Sequence, residues 1–190
     1  MKKLEKMVLT AMMVALAFVI SILMKVIPIL RMPNGGSASL AMLPIFILAY
    51  MLGPVYGIIG GFAYSVVNFF FDGYAFHWAS LVFDYFVAFS CLGLCGFFKK
   101  WVFRGKGWYN YGFFILGMTL VSTIRFFSHT VAGYIAYQPI TFLESCAYNA
   151  PYVYASLGLC IAVGVLIYPT ISQFVQKKEG MTKAENKKTM

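Results

Sequence analysis

Charge is what this sequence most lacks. Asp, Glu, Lys and Arg make up only 11% of its 190 residues, against about a quarter of an ordinary soluble domain. With 61% of residues hydrophobic and 18% aromatic, that deficit excludes a water-soluble globular fold and points to an integral membrane protein. Histidine occurs twice, as His77 and His129, without H-E-x-x-H spacing, so no metal site is expected. Cys91 and Cys95 stand four apart while Cys146 and Cys160 stand alone. With no C-x-x-C pair, they read as small apolar packers. The G-x-x-x-x-G-K-[ST] phosphate loop is missing, so ATP hydrolysis by that route is not expected of this chain. Lacking a nucleophile constellation, a metal cluster and a cofactor motif, the sequence does not read as an enzyme and implies no cofactor.

Long uncharged runs are what it has instead. Met7 to Met24 is the first, and it reads as a retained span rather than a cleaved leader. Lys25 to Ser37 is a polar loop centred on RMPNGGSAS. Ala38 to Phe71 carries no charge over a length that fits two crossings, folded at Gly53-Pro54 because proline stops a helix and glycine permits the turn. Asp72 to His77 is a loop and Trp78 to Phe98 a fourth span. A fifth runs from near Trp108 to about Gly133. A loop around Gln138 to Glu144 leads into a sixth, from about Cys146 to Phe174. About 20 residues cross a bilayer, so six spans use nearly the whole chain. The expected fold is all-α: one six-helix transmembrane domain over 1–176, followed by a basic tail over 177–190.

Basic residues set the expected orientation. Lys2, Lys3 and Lys6 precede span one, Lys99, Lys100, Arg104 and Lys106 follow span four, and five lysines from Lys177 to Lys188 follow span six. With six spans, all three clusters fall on one side, which the positive-inside rule makes cytoplasmic, together with both termini. Lys25 and Arg31 run against the rule and are outnumbered. The net charge of +9 therefore reads as a topology signal, with anionic lipid as a further contact and no nucleic-acid partner implied.

Acids are scarce, and three of them fall on the outer side: Asp72, Asp84 and Glu144. Asp84 sits inside LVFDYFVAF, one to two turns below the outer end of span four. A carboxylate at the centre of a membrane helix costs about 2.5–3.5 kcal/mol on insertion scales, so such a residue faces a partner or a cavity. Arg125, His129, Gly133 and Tyr137 recur every four residues and share one helix face. Glu144, Tyr148 and Tyr152 do the same at the start of span six, with Asn149 adjacent. This convergence at one depth suits a pocket for a small, partly aromatic, cationic solute taken from outside. Carboxylates complement its charge and aromatic faces its rings. The competing reading is a structural Asp84–Arg125 ion pair, with His129 as a helix–helix contact and the aromatics as interfacial belts.

The order of motifs resembles one family. MPNGGSASLAMLPIF after span one, HWASLVFDYFVAFSCLGLCGFF across span four, RFFSHTVAGYIAY in span five and YNAPY in span six are similar to the thiamine-specific substrate-binding subunit (S component) of the energy-coupling factor vitamin transporters. The resemblance covers essentially the whole chain. It implies a six-helix protein of the bacterial plasma membrane that captures thiamine from outside. It also implies a shared transmembrane coupling subunit and two cytoplasmic ATPase subunits as partners.

Carried over position by position, the resemblance makes Asp84 the pocket carboxylate, followed by Tyr85. His129 and Gly133 form the H-x-x-x-G of the fifth helix, and Tyr137 falls where an aromatic stacks on the ligand. Asn149 is the polar residue of the Y-N motif, and Tyr74 is the aromatic contributed by the outer loop. One departure stands out: Glu144 occupies a position usually held by Tyr, adding a negative charge at the rim. Ala11 and Ala15 match the small-x-x-x-small pattern by which such subunits dock on the coupling subunit. The alternative is a stand-alone secondary, proton-coupled transporter of thiamine or a related cationic heterocycle. Such proteins usually carry an internal repeat, and none is visible here.

Overall fold

The computed structural model describes residues 1–26, 32–33, 35–73, 77–104 and 107–188, with Asp72 and 179–188 described by their backbone alone. Six helices and no strand occur among the described residues: α1 (Lys3–Val26), α2 (Leu43–Leu52), α3 (Pro54–Asp72), α4 (Ser80–Val102), α5 (Tyr109–Ala136) and α6 (Phe142–Lys188). Five are long and apolar enough to cross a membrane, and α2 is the exception.

At 1.5 Å per residue, a ten-residue helix covers about 15 Å, half of a bilayer's hydrocarbon core. Every residue of α2 from Leu43 to Met51 is buried, so it forms the centre of the bundle rather than a lipid-facing span. The irregular segment before it is covered as well, with Ala38, Ala41 and Met42 buried. Non-helical backbone at membrane depth is tolerated where protein surrounds it. The expected break at Gly53-Pro54 is where α2 ends. Gly53 takes φ 96°, a value that L side chains rarely adopt, and its N–H donates to Ala49 O at 2.8 Å. Pro54 then opens α3, where a missing N–H costs nothing.

Several boundaries differ from expectation, among them both ends of α6. α6 begins at Phe142, so Glu144 lies in its first turn rather than in a loop. The same helix continues past Phe174 to Lys188, because the Gln, Lys, Glu, Met and Ala residues beyond Phe174 are good helix formers that need no apolar face. On the end of the bundle away from Asp84, Tyr168 donates to Val102 O at 2.5 Å, and Lys178 meets Glu5 at 2.9 Å, joining α6 to α1.

α4 is one continuous rod of changing pitch. It is π-helical over Ser80–Val87, passes through a short α stretch and tightens to a 3-10 helix over Cys91–Phe98. The tight part packs directly on α3: a Cβ built on Gly93 would lie 2.1 Å from the Ile58 nitrogen, and one on Gly57 2.8 Å from Gly93 Cα. Such contact is open only to glycine. Gly93→Ala should therefore lower the melting temperature of the purified protein, since overpacking costs about 1–3 kcal/mol. Gly112→Ala, whose Cβ meets nothing within 4 Å, should leave it unchanged. Equal melting of the two variants would contradict this packing.

Candidate functional site

Asp84 lies within the π-helical stretch of α4, half-buried. Helical segments with i to i+5 hydrogen bonding are rare and often occur at functional sites. Its Oδ1 lies 2.7 Å from Nδ1 of His129 on α5, and its Oδ2 has no hydrogen-bond partner among the described residues. One turn before His129 on the same helix face, Arg125 donates Nε–H to His129 Nε2 at 3.0 Å. An arginine nitrogen can only donate, so Nε2 is the acceptor and the imidazole proton sits on Nδ1, donated to Asp84. The expected alternatives for Asp84 and Arg125 thus resolve into a three-residue chain, with His129 standing between the two charges.

Arg125 and His129 are both buried. The guanidinium carbon lies 4.5 Å from the centre of the Phe89 ring, and Nη1 contacts Met42 Sδ. Among the described residues no carboxylate comes within ion-pair distance of Arg125. A buried charge needs compensation. Here it comes from a π face, a thioether and the imidazole that leads to Asp84. Ser128 fastens α5 to the π-helical stretch by donating to Phe83 O at 2.5 Å.

α6 supplies the third wall. The Tyr152 ring meets His129 edge-on with centroids 5.8 Å apart, and its hydroxyl donates to Asn149 Oδ1 at 2.6 Å. Asn149 is buried and donates Nδ2–H to Ser145 O at 2.8 Å, while Ser145 Oγ donates to Thr130 O of α5 at 2.8 Å. Gly133 makes that approach possible, since a Cβ there would lie 2.4 Å from Ser145 Oγ. The loop before α2 closes over the same wall. Tyr148 OH donates to Gly35 O at 2.9 Å, and Gly36 packs so tightly on Tyr152 that a Cβ would sit 2.9 Å from its ring.

The structure therefore brings Asp84, His129, Gly133 and Asn149 together around Arg125, Tyr152 and Ser145. Tyr137 caps the end of α5, its N–H donating to Gly133 O at 3.0 Å. Tyr85 meets Phe69 of α3 edge-on at 5.3 Å. Tyr74 lies outside the described residues. Ala11 and Ala15 are exposed on α1, far along the chain from this site.

Glu144 has a local task. Its carboxylate accepts from Thr141 N at 2.6 Å and from Thr141 Oγ1 at 2.8 Å, while its own N–H donates to Thr141 Oγ1 at 3.2 Å. This reciprocal capping box at the start of α6 is written in the sequence as Thr-x-x-Glu. Thr141→Ala should lower the melting temperature, whereas Glu144→Gln, which can still accept from the Thr141 N–H, should be close to neutral. The opposite ranking would show that the charge of Glu144 matters more than its cap.

Met42, Phe89, Ser128 and Ser145 were not among the residues the sequence singled out. Ser145 carried a usable signal, lying one turn before Asn149. Met42 and Phe89 carried none, because apolar residues around a buried guanidinium read as ordinary core.

Comparison with known proteins follows the same outline. The family model described as thiamine transporter protein matches residues 7–176. The thiamine transporter ThiT of Bacillus subtilis (strain 168) is 27% identical over 186 residues, covering 92% of this chain and 96% of its own. A solved structure of ThiT from Listeria monocytogenes superposes with a TM-score of 0.74 at 22% identity, covering 90% of this chain and 99% of that chain. That last likeness is one of fold.

Proposed function

This chain belongs to the thiamine transporter protein family, and from that premise we propose that it captures thiamine at the Asp84–His129 end of the bundle and passes it to an ATP-driven assembly. It is a multi-pass bacterial membrane protein, and family membership makes it a transport protein rather than an enzyme. The observation that carries the reading is the half-exposed Asp84 carboxylate. One of its oxygens is held by His129, and the other has no partner among the described residues.

Thiamine combines a permanently cationic thiazolium with an aminopyrimidine bearing N–H donors. A carboxylate in a low-dielectric setting answers both features, while the aromatic residues Tyr85, Tyr137 and Tyr152 offer π faces to the rings; Tyr74 is assigned to the same role by the family resemblance alone. In this reading Asn149, which bonds Ser145 and Tyr152, recognises a ring nitrogen or amino group of the ligand. Gly133 admits Ser145, which holds Asn149 in turn. Glu144 adds negative potential at the rim beyond its capping bonds.

Residues 1–176 form the binding domain in this reading, and the basic stretch 177–190 lies in the cytoplasm with the N-terminus. The energy comes from partners: a transmembrane coupling subunit, docked on α1 through Ala11 and Ala15, and two ATPase subunits. Titration of the purified protein with thiamine, its phosphates and its pyrimidine precursor tests the ligand. Saturable thiamine binding is expected, and its absence would refute the assignment. Uptake by cells expressing this chain without coupling subunits would favour the secondary-transporter alternative.

A further inference from the structure

We propose that Arg125 is a positioning residue that keeps His129 singly protonated, so that the negative charge of Asp84 stays available to a cationic ligand. The proposal rests on the reading of Asp84 as the ligand carboxylate and adds a role for a residue buried behind it.

An Asp–His pair alone has an easy way to neutralise itself. The imidazole takes a second proton, and the resulting imidazolium cancels the carboxylate beside it. The positive charge then lies 2.7 Å from the carboxylate, instead of behind the imidazole where Arg125 holds it. Here the second proton has nowhere to go. The only other basic position of His129, Nε2, is occupied by the Nε–H of Arg125 at 3.0 Å. Protonation there would break that bond and set two cations side by side in a buried site.

The groups facing His129 are few among the described residues. Asp84 comes from α4, Arg125 from α5, the helix that carries His129 itself, and the Tyr152 ring from α6, its hydroxyl donating to Asn149. Among the described residues, Nε2 makes no hydrogen bond other than the one from Arg125. The guanidinium contacts both the Phe89 ring and Met42, so swinging away would forfeit both contacts. No direct contact of Arg125 with ligand is required.

The chain's two histidines make the state readable. His77 Nδ1 accepts from the Ala79 N–H at 3.1 Å, whereas His129 Nδ1 donates to Asp84. In their neutral forms the two rings therefore carry opposite tautomers, and histidine-selective 15N NMR of the ligand-free protein separates them, with His77→Gln as the assignment control. Near neutral pH and down to about one unit below it, His129 should carry one proton, on Nδ1. In Arg125→Met, which keeps bulk and removes every donor, His129 should become doubly protonated over that range. Thiamine affinity should fall about tenfold or more, with the loss growing toward acid pH. Arg125→Lys retains only donors and the charge. It should recover the singly protonated ring and most of the affinity lost in the Met variant.

A doubly protonated His129 in the wild-type protein at neutral pH would overturn the proposal, whatever becomes of the variants. So would a folded Arg125→Met protein with a singly protonated ring and wild-type affinity. If the Met variant fails to fold, the wild-type spectrum and the Lys variant decide the matter. Failure of the wild-type protein to bind thiamine would remove the proposed ligand but leave the NMR result to judge the Arg125–His129–Asp84 chain independently.

Discussion

Asp84→Asn is expected to weaken thiamine binding by about ten- to a hundredfold or more while the protein stays folded. The amide keeps the shape of the side chain, and its Oδ1 can still accept from His129 Nδ1–H, which sits 2.7 Å away in the native site. What disappears is the charge. A hydrogen bond to a charged group contributes about 1.5–3 kcal/mol, and a ligand donor left unmet adds its desolvation cost. Each 1.4 kcal/mol is a tenfold change in affinity. The rival expectation is that Asp84 serves only to balance Arg125, to which it is linked through His129. In that case Asp84→Asn lowers melting, and adding Arg125→Gln restores both melting and binding. Titration and thermal melting of the single and double variants separate the two, and recovered affinity in the double variant would sink the ligand-contact reading.

If α1 docks on a coupling subunit as proposed, Ala11→Leu with Ala15→Leu should impair assembly and thiamine uptake and leave binding to the isolated chain intact. Both alanines are exposed on α1 beside Val8, Met12, Leu16 and Val19, on the face turned away from the bundle, where Ala17 and Thr10 are buried. Leucines there meet no neighbour inside the protein, so folding is spared. A partner helix is different, because close approach in a membrane depends on small side chains and on van der Waals contact rather than on a hydrophobic driving force. Two added isobutyl groups prevent that approach. Co-purification of the double Leu variant with the coupling subunit at wild-type yield would remove α1 as the docking face.

The capping box and the glycine contacts show how the sequence encodes local structure at two levels. Thr141-x-x-Glu144 forms within four residues, so its pattern is legible without the fold, although a loop ending at Glu144 was the expectation there. The α3–α4 contact is the opposite case. Gly57 and Gly93 are far apart in the chain, and nothing local says that one helix must come within touching distance of the other. The short α2 shows a third situation. Its uncharged sequence reads as a span, yet the length available before Gly53 makes only half of one. Its burial inside the bundle supplies the rest.

Composition and the order of uncharged runs determined by themselves that this is an all-helical membrane protein and where the chain turns at Gly53-Pro54, while helical spacing put Asp84, His129 and Asn149 at one expected depth. These follow from the sequence because lipid punishes charge and unpaired backbone at every depth, leaving each tolerated polar residue as a marked position. Only the tertiary structure decided the chemistry among them. His129 rather than Arg125 meets Asp84, Arg125 meets the other nitrogen of the same ring, Glu144 caps a helix, and Met42 and Phe89 contact the guanidinium. Helical periodicity places residues on a face, but it cannot say which atoms on neighbouring helices come within 3 Å. That depends on helix register, on the changing pitch of α4 and on how closely glycine lets the backbones approach.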